Sequence, residues 1–401
     1  MTALSPRRVD GPGAEREHSE PPAEAEPSAG RWWATAVAVP LALYLLTRLT
    51  QLGLVALMAP DDDIRLDERL LAWDAGWFTR VADDGYPTGY SYGSDGQMIG
   101  NGLAFFPAYP LLLRVIAWLP GISTAGAALT VSWIAGAAAA VLLAQLGERL
   151  YSRQTGYALA VLFGAQPMSV VLSMGYTEAL FCAFVAGTLL AVHRNAWLVA
   201  GGSGFLAAMT RPTGAALALA LLATAIVWMW RDRGDYPTWR VAVGTAAALA
   251  GAPLYLLWVA LRVGDLDAWF RIQEAGWGTH WDYGATTLGF LRDAFRGEAW
   301  VQVSTAVVIV VVAACVLVAL SERVWLPLSL SGVLAFAMAV GSSGYYHSRP
   351  RMLVPVLLWL VPLAVAVGRA RPRTAVVALA GATLLGGWYG AYMITVWPFT
   401  I

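Results

Sequence analysis

The chain contains 401 residues, of which 58% are hydrophobic and only 13% are charged, and its mean hydropathy is +0.59. Because soluble globular domains carry about 25% charged residues, this composition excludes an ordinary soluble protein and predicts one whose solvent is a lipid bilayer. The formal net charge is zero, so nothing indicates a surface that binds nucleic acid or another polyanion.

The first 31 residues differ from the rest of the chain. They are rich in Pro, Glu, Ala and Ser and contain almost no large apolar side chain. A segment of this kind cannot bury enough surface to offset the entropy lost on ordering. The sequence therefore predicts a disordered cytoplasmic tail over 1–31, followed by a single membrane domain over 32–401.

Long apolar runs fill this membrane domain. A run of roughly 17 to 25 apolar residues can cross a bilayer as a helix, and a helix satisfies its own backbone hydrogen bonds in lipid. We therefore predict an all-α polytopic protein of about eleven spans. The runs lie at 34–58, 124–147, 155–173, 177–193, 196–210, 213–230, 239–262, 301–321, 325–341, 352–368 and 374–397.

One further apolar stretch, Phe105–Leu119, decides the orientation of everything after it. If it crossed the membrane, most of the short connections that carry arginine would lie outside, against the positive-inside rule. It also contains two prolines and Arg114. We therefore predict a juxtamembrane helix within a long first outer loop over 59–123. A second outer loop follows at 263–300.

The first outer loop places an acid on an apolar helix face. At about 100° per residue, Asp74 falls within an apolar stripe formed by Leu70, Leu71, Trp77, Phe78 and Val81. One interpretation is a carboxylate satisfied by backbone amides or by a neighbouring arginine. The other is a general base at the membrane boundary, where partial burial raises the pKa of a carboxyl group towards the working range.

Several arginines lie where cations are costly or unexpected. Arg48 lies inside the first span, where it could extend its head to the interface, pair with a carboxylate or bind a lipid-linked phosphate. Arg211 and Glu178 lie at outer helix ends and could pair with each other. Arg349 and Arg351 lie in the last outer connection, so either the topology is wrong there or they grip a phosphate.

The second outer loop is rich in aromatic residues, including Trp277. Aromatic belts at membrane interfaces explain most clusters of this kind. A role for Trp277 in stacking on a sugar is the alternative, and Gln273 is compatible with it.

The sequence predicts no metal ion and no cofactor. Three consecutive acids, Asp61 to Asp63, point in different directions and indicate a solvated helix exit rather than a metal site. Cys182 and Cys315 both lie within apolar runs and support neither a disulfide nor a metal centre. We also find no phosphate-binding glycine loop and no His pair at zinc spacing.

Taken in order, several short motifs resemble the GPI mannosyltransferase 2 (PIG-V) family and its bacterial relatives, within the GT-C class of membrane glycosyltransferases. The resemblance covers roughly 34–368. Its motifs are Trp73 and Asp74, Gly85 and Tyr86, the run from Phe106 to Pro110, the run from Tyr176 to Glu178, Thr210 and Arg211, and Gln273 with Trp277.

This resemblance implies a GT-C-like helical bundle and an inverting, metal-independent transfer of mannose from a polyprenyl-phosphate donor on the outer face of the cell membrane. It implies Asp74 as the catalytic base and Arg349 or Arg351 as the cation for the donor phosphate, beside the candidates Arg211 and Arg48. The remaining candidate substrate-binding residues are Trp73, Glu178, Gln273, Trp277, Tyr346 and His347.

The identity of the acceptor, a lipid or a glycan, does not transfer from the family, because a bacterial member would have no GPI precursor. A secondary transporter or flippase is the alternative function. Transporters tend to show paired repeats and polar groups at the midplane. Here the polar groups gather at one face, so the enzyme is favoured.

Overall fold

A computed structural model of the protein describes residues 33–59, 64–231 and 237–401. The predicted tail over 1–31 and the three acids after the first span lie outside these residues. The helices in the described part are α1 (Val39–Met58, continuing a π-helical turn at Ala34–Ala38), α2 (Leu66–Leu70), α3 (Asp74–Asp84), α4 (Ala108–Ala117), α5 (Thr124–Leu150), α6 (Arg153–Ala165), α7 (Glu178–His193), α8 (Trp197–Ala208), α9 (Gly214–Arg231), α10 (Thr238–Val263), α11 (Ala268–Trp277), α12 (Ala285–Ala294), α13 (Trp300–Ser321), α14 (Leu326–Gly341), α15 (Arg349–Leu353), α16 (Leu360–Arg369) and α17 (Pro372–Thr395).

The chain is an all-α, multi-pass membrane protein, as the sequence predicted, but the count of eleven spans is not confirmed. Among the described residues, six helices are long and apolar enough to cross a bilayer, and a bent pair gives a seventh. The six are Ala34–Met58, α5, α9, α10, α13 and α17. Three predicted spans correspond to apolar helices of 12 to 16 residues, α7, α8 and α14.

Two of the predicted spans are interrupted at a proline. The run 155–173 is not one helix, because α6 ends at Ala165 and Gln166 is extended, as residues before proline tend to be. The run 352–368 is also broken, since the segments Tyr346–Leu353 and Leu357–Arg369 meet at an angle of 68°. Pro355 lies at this break. At both interruptions the residues that follow the proline, 168–172 and 356–359, are buried in the protein interior.

Small residues bring neighbouring helices into backbone contact. At the crossing of α8 and α10, a Cβ atom added to Gly201 would lie 2.3 Å from the carbonyl oxygen of Gly244. Close approach at glycine is typical of helices that associate in a membrane, where burial of apolar surface provides little driving force.

The helix α4 lies in the apolar stretch Phe105–Leu119. It has only 10 residues, about 15 Å, and is too short to span the membrane.

The two loops that the sequence predicts to face outward carry their own secondary structure. In the first, a two-stranded antiparallel hairpin (β1, Ser91–Tyr92; β2, Met98–Ile99) follows α3 and precedes α4. In the second, α11 and α12 are joined by residues that form an isolated bridge from Trp281 to Ser342. This bridge ties the second loop to the connection that follows α14.

Candidate functional site

The two loops and the ends of several helices enclose a cavity of about 450 Å³. Its wall combines charged and aromatic side chains from distant parts of the sequence. Seven sequence-predicted site residues line it: Asp74, Glu178, Arg211, Gln273, Trp277, Arg349 and Arg351. The structure therefore brings together residues that the sequence could only place at the same face.

Asp74 begins α3 and contacts an arginine from the last outer connection. Trp73, directly before it, has a positive φ of 56°, which is costly for a bulky residue. Oδ2 of Asp74 accepts a hydrogen bond of 2.6 Å from Nη1 of Arg351. The guanidinium of Arg351 also lies over the ring of Tyr176, 5.1 Å from its centroid. The Tyr176 hydroxyl accepts a bond of 3.3 Å from the backbone N–H of Asp74.

Glu178 joins this ion pair to a second one. Its Oε1 atom lies 3.6 Å from Nε of Arg351 and forms an ion pair with Nη1 of Arg211. Arg211 also donates to the hydroxyl of Thr177 at 3.1 Å. The result is an alternating row of Asp74, Arg351, Glu178 and Arg211 along the cavity wall. The Glu178 side chain is 2% exposed, so the charges of this row stabilise one another in a poorly solvated place.

Arg349 and Arg351 are used differently, although both line the cavity. Arg349 donates from Nη1 and Nη2 to the carbonyl oxygens of Ala339 and Ser342 at the end of α14. Arg351 makes one hydrogen bond, to Asp74, within the described part of the chain, and its Nε is buried without a hydrogen-bond partner there. A guanidinium has five N–H donors. Arg351 therefore retains donors for a ligand, whereas Arg349 closes a helix end.

Arg48 does not reach the cavity, which corrects its placement with the phosphate ligands. It is 1% exposed, lies over the Tyr44 ring and donates to Gln51 Oε1 at 2.5 Å. It also donates to the carbonyl oxygens of Ser169 and Gly164, and weaker contacts reach the Thr47 and Ser169 hydroxyls. All five donors thus have acceptors inside the protein, and none is left for a phosphate.

Three of the predicted substrate-binding residues lie behind the cavity rather than on its wall. Trp73 packs against the buried core. Tyr346 stacks on Phe290, with ring centroids 4.9 Å apart, and the buried His347 packs against Tyr346 and Trp397. The lining residues of the cavity do not include any of the three. Tyr346 and His347 belong to the connection that carries the arginines, and the assignment of all three residues to substrate contact stays a prediction.

Gln273 and Trp277 occupy the aromatic side of the cavity. Gln273 Nε2 donates to the Ala104 carbonyl oxygen at 3.0 Å, which anchors α11 on the first outer loop. The Trp277 indole meets the rings of Trp77 and Phe105 edge to face, with centroids 5.9 and 5.2 Å away. These contacts hold the Trp277 indole in a fixed orientation on the wall.

His280, Trp281 and Ser343 also line the cavity, and they are not among the site residues predicted from the sequence. The available signal was a histidine next to a tryptophan, two residues after Gly278, the glycine that caps α11. This signal did not single out a site, because aromatic residues near a membrane surface are usually interface anchors.

Comparison with known proteins identifies the fold. No family model matches the chain, and a search of curated proteins found no match. Among solved structures, ArnT from Cupriavidus metallidurans in the apo state is similar over 89% of this chain and 62% of its own length, with TM-score 0.51 and 18% identity. The same protein bound to undecaprenyl phosphate is similar over 90% of this chain and 63% of its own length, with TM-score 0.50 and 16% identity.

The archaeal oligosaccharyltransferase AglB from Archaeoglobus fulgidus, in complex with an inhibitory peptide and a dolichol-phosphate, is similar over 91% of this chain and 56% of its own, with TM-score 0.51 and 12% identity. The chain thus spans less than two thirds of the length of these proteins. The narrower resemblance to GPI mannosyltransferase 2 stays a prediction. The structure shows a multi-pass membrane protein with the fold of GT-C glycosyltransferases.

Proposed function

We propose that the protein is an inverting glycosyltransferase that moves a sugar, with mannose as the expected one, from a polyprenyl-phosphate donor to an acceptor hydroxyl. The observation that carries the proposal is the contact of Asp74 with Arg351 on the wall of a 450 Å³ cavity. It puts a carboxylate beside a guanidinium with spare donors. The GT-C fold supports it, because structures with this fold hold undecaprenyl phosphate and dolichol-phosphate.

Each charged group has a part in the reaction. The guanidinium of Arg351, with that of Arg211, binds the donor phosphate, which replaces Asp74 as the partner of Arg351. The freed Asp74 carboxylate takes the proton of the acceptor hydroxyl. The acceptor oxygen forms a bond to the anomeric carbon as the bond from that carbon to the phosphate oxygen breaks. The electron pair leaves with the polyprenyl phosphate, whose charge the arginines stabilise.

Membrane orientation completes the proposal. We place the loops over 59–123 and 263–300, and the cavity between them, on the extracytoplasmic side of the cell membrane. The support is the sequence distribution of arginine, which puts most short basic connections on the opposite side. A donor held in the outer leaflet by its lipid would present its phosphate at this level.

Transfer of labelled sugar tests the function directly. Purified protein in lipid nanodiscs would be given polyprenyl-phosphate donors carrying labelled mannose, glucose or a pentose, together with extracted membranes as the source of acceptor. We expect time-dependent formation of a labelled glycoside and free polyprenyl phosphate, and a large loss of rate in Asp74→Asn. Movement of intact donor across the bilayer of proteoliposomes, without cleavage, would instead favour the flippase alternative.

A further inference from the structure

Two tryptophans of the cavity wall rest on glycines that have no room for a side chain. A Cβ atom at Gly341 would lie 2.5 Å from the Trp281 ring, and one at Gly100 would lie 2.7 Å from the Trp277 ring. Trp281 is also fixed by its backbone bridge to Ser342, yet it remains 51% exposed. A large apolar ring that is rigidly held and half exposed on a cavity wall has a face available for stacking.

His280 lies between these tryptophans in the sequence, and its Nε2 atom has no hydrogen-bond partner in the described part of the chain. The Ser343 hydroxyl donates its proton to the Gly278 carbonyl oxygen at 2.6 Å and accepts the backbone N–H of His280 at 2.9 Å. Because the hydroxyl has one proton and its shortest contact is with the Gly278 carbonyl oxygen, we assign Nδ1 as the donor in the 3.0 Å contact between Ser343 Oγ and His280 Nδ1. A neutral imidazole with a proton on Nδ1 has a lone pair on Nε2. The His280 side chain is 54% exposed, so a ligand can reach it.

The charges around His280 disfavour an anionic ligand. Oε1 of Glu274 lies 3.7 Å from His280 Nδ1. Asp282 accepts hydrogen bonds from the backbone N–H groups of Thr286 and Gly284, and bonding by Thr286 lowers the pKa of the Asp282 carboxyl group. Asp282 therefore stays ionised near neutral pH. These two carboxylates lie near His280 without lining the cavity, and Arg349 on the cavity wall is the cation that also lowers the pKa of Asp282.

We infer that His280, Trp277 and Trp281 form the acceptor subsite and that the acceptor is a neutral, hydroxyl-rich ring, a pyranoside. The ring stacks on the exposed face of Trp281, and one of its hydroxyl groups donates to His280 Nε2. Stacking serves the apolar C–H face of the sugar, and the hydrogen bond orients the ring, which is how aromatic cavities with few polar groups select ligands. The inference rests on the proposed function, since it names the acceptor of that reaction.

Binding can be measured without a donor or turnover. Saturation-transfer NMR on the full chain in nanodiscs would use methyl β-D-glucopyranoside as the probe. We expect saturation of the sugar protons in the parent protein, and at least a fivefold weaker effect in Trp281→Ala. Tyr92→Ala is the matched control, because Tyr92 is a 60% exposed aromatic residue outside the cavity lining. Equal saturation in Trp281→Ala and the parent would overturn the subsite.

Two histidine variants separate ligand contact from support of the loop. His280→Asn keeps a donor near Nδ1, and hence the bond to Ser343, but has no atom at the position of Nε2. His280→Gln puts an amide near the position of Nε2. We expect the glucoside to bind at least fivefold more weakly to His280→Asn and to recover part of its affinity in His280→Gln. Full binding to His280→Asn would show that His280 only anchors the loop.

Two further measurements test the ligand class. Methyl β-D-glucuronide should displace the glucoside at least tenfold less well than unlabelled glucoside does, and displacement at an equal or lower concentration would contradict a neutral acceptor. In the transfer assay, a lower KM for n-octyl than for methyl glucoside identifies a lipid-linked acceptor, and equal values identify a free glycan.

Transfer to membrane extracts but to neither glucoside would overturn the subsite while leaving glycosyl transfer intact. Absence of transfer from every donor would refute the proposed function. The NMR result would then still decide whether the pyranoside binds.

Discussion

The Oδ2 atom of Asp74 lies 2.6 Å from Nη1 of Arg351, although 277 positions separate the two residues in the chain. The pair joins the start of α3, in the first long loop, to α15, which follows α14 in the chain. It also means that the proposed base and the proposed phosphate ligand neutralise each other. A donor phosphate must compete with Asp74 for Arg351, so we expect the donor to bind before the acceptor proton can be taken.

Replacement of Arg351 by Lys should weaken donor use more than replacement of Arg349. A lysine at 351 keeps one positive charge for Asp74 but loses the fork that a phosphate can bind through two N–H groups. We expect donor KM to rise about tenfold, equivalent to about 1.4 kcal/mol, in Arg351→Lys. In Arg349→Lys, the lost bonds to Ala339 and Ser342 should lower thermal stability with a smaller change in donor KM. The reverse order would contradict the assignment.

Asp74→Asn should separate chemistry from binding. Asparagine has a similar shape but cannot accept the proton, so kcat should fall about 10²- to 10⁴-fold, the usual contribution of a general base. Because the carboxylate no longer competes for Arg351, polyprenyl phosphate should bind as tightly as before or more tightly. Steady-state rates and a binding isotherm for polyprenyl phosphate measure the two effects. A rate within a few-fold of the parent would require another base, with Glu178 as the next candidate.

Gly341→Ala should disturb the acceptor without touching any polar group. The new Cβ would lie 2.5 Å from the Trp281 ring, so the indole must move. We expect the acceptor KM to rise several-fold with little change in donor KM. Gly289→Ala in α12 is the matched control, since nothing lies within 4 Å of a Cβ at that position. Equal acceptor KM values in the two variants would show that the position of Trp281 does not matter.

Arg48→Met should lower stability rather than activity. Removal of the guanidinium leaves the Gly164 and Ser169 carbonyl oxygens without their bonds from Arg48, and an unsatisfied buried group costs about 1–3 kcal/mol. We expect a lower Tm and a parental donor KM in the folded fraction. The exposed Arg240 provides the control variant, Arg240→Met. A raised donor KM with unchanged Tm would restore Arg48 to the phosphate site.

Single cysteines test the orientation of the loops. In a background with Cys182 and Cys315 replaced by alanine, Ser94→Cys and Arg296→Cys should react with an impermeant maleimide from outside intact cells. Arg371→Cys should react after the membrane is opened. All three positions are exposed in the structure, so labelling reports the side of the membrane. Equal labelling of residues 94 and 371 from outside would refute the orientation.

The all-α membrane class follows from the sequence because hydropathy is a sum over many residues and tolerates local errors. The first and last residues of a single span do not follow from the sequence in this way, because they depend on individual prolines. Pro167 ends one predicted span early, and Pro355 lies where another is bent by 68°. A window that averages hydropathy passes over such residues without a signal.

The residues of the site could also be predicted from the sequence only in part. Asp74 and Arg351 could be identified because a charge on an apolar face or on the wrong side of a membrane violates a simple rule. His280 violates none, and its role depends on which ring nitrogen contacts Ser343. Arg48 violates the rule as strongly as Arg351, yet the structure surrounds it with acceptors. Which of two equally unusual arginines is free for a ligand is decided by tertiary contacts alone.

The acceptors around Arg48 also constrain the order in which the protein can be assembled. The carbonyl groups of Gly164 and Ser169 are made more than a hundred residues after Arg48. Until they arrive, the first helix carries a charge that costs roughly 2.5–3.5 kcal/mol at the centre of a membrane helix. That cost is therefore offset only when the segment containing Gly164 and Ser169 packs against the first helix, so this packing adds to the free energy that holds the helix in place.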